Sequence, residues 1–144
     1  MYQFSDSKQI CIAIFVAREK FNMLYQTINL TIEAAPVNSR IDVLINGNTS
    51  LADLVSNRLR NEKNNKTIAI NIWKIKLGDK ANTWNQHIHN IWDGNSLVFY
   101  IDGYVRLHRD AISNLIHTMN TTPDSLAGTG VPSAGRSASK LRNL

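Results

Sequence analysis

The chain alternates between two hydrophobic periods, and that alternation limits its fold more than any other feature. Four β-branched or aromatic runs, Ile10–Ala17, Ile41–Ile45, Thr67–Trp73 and Leu97–Ile101, are separated by segments whose apolar residues recur at helical spacing. Near-continuous apolar runs suit strands covered on both faces. Strands that alternate with helices pair in parallel through crossovers. The order β-α-β-α-β-α-β-α therefore predicts an α/β fold: a mostly parallel open sheet flanked by helices on both faces. Its strands are expected at Ile10–Val16, Ile41–Ile45, Ile68–Ile72 and Leu97–Ile101.

The helices follow from their stripes and their stops. Phe21, Leu24, Tyr25, Ile28 and Ile32 form the first stripe, and Pro36 disfavours helix at Ala35. Asn48, Thr49 or Ser50 caps the second, whose apolar face reads Leu51, Leu54, Val55 and Leu59. Asp79 caps the third, with Ala81, Trp84, Ile88 and Ile91 as its stripe. Ala111, Ile112, Leu115, Ile116 and Met119 mark the last. Asn46-Gly47, Asp93-Gly94-Asn95 and Asp102-Gly103 are turns. Residues 1–127 read as one α/β domain. Residues 128–144, rich in Gly, Ser, Ala and Arg, read as a flexible basic tail or the start of a further part; Arg136, Lys140 and Arg142 are expected trypsin sites there.

Sixteen Lys and Arg against 11 Asp and Glu give a formal charge of +5, which favours anionic partners and admits peripheral membrane contact. The cations are scattered, with no aromatic-interleaved basic motif, so nucleic acid is not the expected partner. No apolar run approaches the roughly 18–20 residues of a membrane span, and the first residues lack the pattern of a secretory signal. The single cysteine, Cys11, excludes an internal disulfide and a thiolate metal cluster. A cytoplasmic location, with contact at the inner membrane face as an extension, is expected. Gly-x-Gly-x-x-Gly, Walker and Gly-x-Ser-x-Gly patterns are all missing, which argues against a dinucleotide oxidoreductase, a P-loop NTPase and an α/β-hydrolase. His87 and His89, two apart on a helix, point in nearly opposite directions and cannot share a metal; His108 and His117 have no ligand-spaced partners.

Open parallel sheets bind ligands beyond the carboxyl ends of their strands. The expected chemistry therefore lies after Ala17, at Asn46-Gly47, around Lys76–Lys80 and at Asp102-Gly103-Tyr104. A carboxylate such as Asp102, directly after a buried strand, offers the oxygen that a hard cation bridging phosphates needs. Asn46 offers both a donor and an acceptor to a base edge. Lys80, in the first turn of a helix, adds positive charge where anions are already favoured.

Taken together these spots resemble the family 2 glycosyltransferases of Rossmann-like GT-A fold, over about residues 10–130. Phe15-Val16-Ala17-Arg18-Glu19 stands where that family has a Pro-Ala-Tyr-Asn-Glu-like stretch and keeps the Glu. Ile45-Asn46-Gly47-Asn48 stands in place of an Asp-Asp-Gly-Ser-like turn and keeps only the Gly. Asp79-Lys80-Ala81-Asn82-Thr83-Trp84-Asn85 keeps the Lys, Ala and Asn of Gly-Lys-Ala-x-x-x-Asn. Asp102-Gly103-Tyr104 keeps the first Asp of Asp-x-Asp and replaces the second by Tyr.

The resemblance implies the N-terminal, donor-binding half of an enzyme that transfers a sugar from a nucleoside diphosphate sugar to an acceptor hydroxyl on a glycan, lipid or protein. It places Phe15, Val16, Ala17 and Glu19 on the nucleoside side and Asn46 at the base. Lys80 and Asn85 would lie on the pocket floor, with Asp102, Gly103 and Tyr104 at the diphosphate. It makes Asp102 the ligand of a Mn or Mg ion whose site the incomplete Asp-x-Asp weakens. No catalytic base is assigned, because the family's acceptor half would follow the last residue, Leu144. The rival expectation is a non-catalytic module of the same half-fold that binds nucleotide or a protein partner.

Overall fold

The computed structural model describes residues 9–62, 67–76 and 78–132. Four strands, β1 (Ile10–Val16), β2 (Arg40–Asn46), β3 (Ala69–Ile75) and β4 (Leu97–Asp102), alternate with four helices, α1 (Phe21–Ala34), α2 (Thr49–Arg60), α3 (Lys80–Gln86) and α4 (Ala111–Thr121). All strand pairs are parallel, in the order β3-β2-β1-β4. The fold is the α/β open sheet that the alternating periods predict.

Alternation along β1 and β2 separates two cores. Ile12, Ile14, Val16, Ile41, Val43 and Ile45 face Leu24 and Ile28 of α1, Leu51 and Val55 of α2, and Ile112 of α4. The opposite face carries Ala13, Phe15 and Leu44, packed with Ile75, Ile91 and Tyr100. Helical segments therefore cover both faces. β1 and β2 are buried almost from end to end, whereas β3 lies at an edge and is only half-covered.

Caps act where their residue types point. Asn48 accepts from the Leu51 amide at 3.0 Å and starts α2, and Asp79 accepts from the Asn82 amide and starts α3. Three expectations shift. β3 runs to Ile75 rather than ending at Ile72, because its partner β2 continues to Asn46 and the two pair as far as Asn46↔Ile75. On α2, Leu54 is exposed and Ala52 takes the inward place. On α3 the buried residues are Thr83 and His87 rather than Ala81 and Trp84; the helix widens there into a π turn over His87–Ile91. The reason is chemical: the sheet beneath α3 presents Asp42 and Asn46, so polar side chains turn inward to meet them. Of the expected tail, Gly128 lies close to Leu115 and Met119 of α4 and Val131 is exposed, while residues 133–144, with Arg136, Lys140 and Arg142, lie outside the described residues. Among the described residues no helix is long and apolar enough to cross a membrane.

Candidate functional site

β2 and β4 flank β1 on opposite sides, and the ends of β1 and β4 meet the start of α3 at the carboxyl edge of the sheet. Open parallel sheets take their ligands at this edge. The Gly103 amide donates to the Phe15 carbonyl at 2.8 Å and ties the end of β4 to the end of β1. Glu19 folds back beside them, and its Oε2 accepts from the amides of Ala17 at 2.7 Å and Arg18 at 3.0 Å. Gly103 eases this approach: a Cβ there would stand a tight 3.2 Å from Glu19 Cδ and 3.2 Å from the Phe15 oxygen.

Asp102 ends β4 with both carboxylate oxygens engaged. Lys80 Nζ donates to Oδ1 at 2.5 Å, and the Tyr104 hydroxyl donates to Oδ2 at 3.2 Å. The hydrogen bond to Asp102 holds the Lys80 ammonium above its ordinary pKa. Trp84, one turn beyond Lys80, stacks on Tyr100 at 4.6 Å and on Phe15 at 5.6 Å and stays partly exposed. Tyr104 is also exposed. An ammonium, a carboxylate and two accessible aromatic side chains are thus gathered at the carboxyl edge.

Of the residues read from the sequence, Glu19, Lys80, Asp102, Gly103, Tyr104 and the Phe15–Ala17 backbone come together. The side chains of Phe15 and Val16 are buried on opposite faces of the sheet. Asn46 is brought to the edge but turned inward. Its Nδ2 donates to the Asp79 carbonyl at 2.8 Å and to Thr83 Oγ1 at 2.9 Å, and its Oδ1 is buried with no partner. Asn46 therefore latches the end of β2 to the start of α3. Asn85 is exposed on α3.

Asp102 fits a divalent cation poorly. Hard cations take six or more oxygen ligands, and here one carboxylate is already paired with an ammonium.

A second polar group lies under the π turn. Cys11 of β1, Asp42 of β2 and His87 are all buried. Asp42 Oδ2 is 3.3 Å from Cys11 Sγ and 3.2 Å from His87 Nε2, and Sγ is 3.8 Å from Nε2. Oδ1 accepts from Asn71 Nδ2 and Trp73 Nε1, both at 3.1 Å, and Arg40 pairs with Oδ2 at 3.0 Å. Burial alone would raise the Asp42 carboxyl's pKa; donors from His87, Asn71 and Trp73, with the Arg40 charge, outweigh it and hold the group well below the usual carboxylate range. Burial and the neighbouring Asp42 charge push the Cys11 thiol up to about 12.

Sequence reasoning passed over this trio. The usable signal was Asp42 itself, a carboxylate in the middle of an apolar run, which a buried strand tolerates only with partners. Pairing His87 with His89 looked for a local partner where the real ones are supplied by the sheet.

No family model matches the chain, and no curated protein matches it.

Proposed function

We propose that the chain is the donor-binding portion of a glycosyltransferase, taking a nucleoside diphosphate sugar at the carboxyl edge of the sheet for transfer to an acceptor hydroxyl. The observation that carries this reading is the Lys80–Asp102–Tyr104 cluster at the end of β4, set beside Glu19 and Gly103 next to the end of β1. Lys80 exchanges its carboxylate partner for diphosphate oxygens and offsets the charge that grows on a departing diphosphate. The exposed sides of Trp84 and Tyr104 offer stacking surfaces to a base or a sugar ring. Since the residues around Asp102 do not suit a dication, the ammonium is the resident positive charge, and Mn or Mg adds little. The acceptor is a glycan, lipid or protein hydroxyl, and the excess of basic residues is compatible with a cytoplasmic enzyme at an anionic membrane surface.

Calorimetric titration of uridine and guanosine diphosphates, with and without manganese, tests the reading. Binding is expected with only a modest metal effect. Lys80→Ala should weaken it about tenfold, the scale of one charge-assisted hydrogen bond, while changing stability by no more than about 1 kcal/mol because the pair is exposed. No heat with either nucleotide overturns the proposal.

One observation favours a second reading, a non-catalytic nucleotide- or protein-binding module: neither oxygen of Asp102 is free. In that case a bound nucleotide sugar would stay intact in the presence of any acceptor hydroxyl.

A further inference from the structure

We propose that Cys11, Asp42 and His87 form a buried site for one zinc-class divalent metal ion, separate from the carboxyl-edge cluster of Lys80, Asp102 and Tyr104. The three ligand atoms come from three elements, β1, β2 and the π turn, and converge on one point. Their separations are 3.2 Å, 3.3 Å and 3.8 Å. Zinc bonds of about 2.0–2.3 Å at tetrahedral angles set neighbouring ligand atoms roughly 3.3–3.6 Å apart. The trio therefore already approximates one face of a coordination tetrahedron.

The chemistry of the set is specific. Thiolate, imidazole and one carboxylate are the ligands of zinc and its neighbours in the transition series, not of magnesium or calcium, which take oxygen. The surroundings of Asp42 are built as well, while His87 Nδ1 is buried with no partner. Asn71 and Trp73 donate to Asp42 Oδ1 and leave Oδ2 toward the thiol and the imidazole. Donors on the far side of a ligand in this way fix its orientation. The π turn is the local irregularity that puts His87 over the sheet, and such turns concentrate at functional positions.

Arg40 stands where the metal's charge would act. Its guanidinium lies 3.0 Å from Asp42 Oδ2 and 3.6 Å from Cys11 Sγ. On metal entry the Cys11 proton would leave to solvent, the His87 proton would shift from Nε2 to Nδ1, and Sγ and Nε2 would bond the metal. Thiolate and carboxylate then balance the dication. The Arg40 head, already partly exposed, would release Asp42 and the Ile91 carbonyl, to which it donates at 3.3 Å, and withdraw toward water. A fourth position is left for water, the arrangement of three protein ligands and one open place.

The test uses the full chain, reduced without thiols and stripped by a chelator, then titrated with cobalt(II) and zinc(II) salts. One cobalt per chain is expected, with the intense thiolate-to-cobalt absorption that zinc then bleaches. Because the chain has a single cysteine, that band in the unaltered protein already assigns Cys11, even if variants fold poorly. Cys11→Ser should abolish the band. His87→Gln should weaken zinc at least about tenfold, and Asn71→Ala by about tenfold, the usual effect of losing an outer-shell donor. His117→Gln on the surface should change nothing. No stoichiometric uptake overturns the proposal. Uptake without thiolate absorption, or uptake abolished by His117→Gln, overturns it too, because the metal then sits on surface histidines.

Discussion

A methyl group at position 103 fits only if its neighbours give way by a few tenths of an ångström. It would meet the Phe15 carbonyl oxygen, which is backbone, and the Glu19 carboxylate, which holds two amides of its own. Gly103→Ala should therefore destabilise the fold by about 1–3 kcal/mol, the usual penalty for overpacking, measured as a lower denaturant midpoint with an unchanged slope. Any nucleotide binding should fall further than stability does, since Glu19 and the end of β4 move apart. At this scale the carboxyl-edge residues were legible in the sequence. Position after a buried strand is decided by topology, and Asp102 and Gly103 follow from it; Glu19 was marked only by the resemblance to family 2 glycosyltransferases. The orientation of Asn46 was not legible. Its amide is captured by Thr83 and the Asp79 carbonyl, partners that become neighbours only once α3 has docked.

Local chemistry decides some elements outright. The turn before β4 is organised by Asp93, whose Oδ1 accepts from the amides of Asn95 and Ser96 at 3.0 Å each and from the Ser96 hydroxyl at 2.9 Å. Gly94 supplies the left-handed φ of +76° that this turn requires. The Ser96 and Asn95 amides hold the Asp93 carboxyl below its ordinary pKa. A carboxylate whose folded pKa is lowered stabilises the protein above its unfolded value, near 4, and the contribution fades as pH falls through the folded one. Asp93→Asn should thus lower the thermal midpoint at pH 7, and the gap to the unaltered protein should narrow between about pH 4 and 2. A gap that is constant with pH would show that shape, not charge, holds the turn. α3 is the contrasting element. Its apolar stripe was visible, but the helix docks by Thr83 and His87, because a polar sheet surface outranked the periodicity of Ala81 and Trp84.

Across the whole molecule burial falls from the centre of the sheet to its β3 edge. Ile14 is fully buried, whereas Ile72 packs against the same core from a half-covered strand. Ile14→Ala should cost about 2–5 kcal/mol and Ile72→Ala clearly less. Amide exchange should be slowest in β1 and β2 and faster in β3, and equal protection in all strands would contradict this gradient. The architecture was readable because strand and helix periods differ and the short turns punctuate them. Strand order was not, since nothing local states that β4 returns to lie beside β1. That return has a consequence for synthesis. Cys11 meets Arg40 soon after β2 is made, but Ile10 must wait for Leu97. Until the ribosome has passed β4, a nascent chain carries β1 with one bare, apolar hydrogen-bonding edge, open to any other unpaired strand nearby. Slowing translation between α3 and β4 should therefore raise aggregation in the cell without altering the stability of the finished protein.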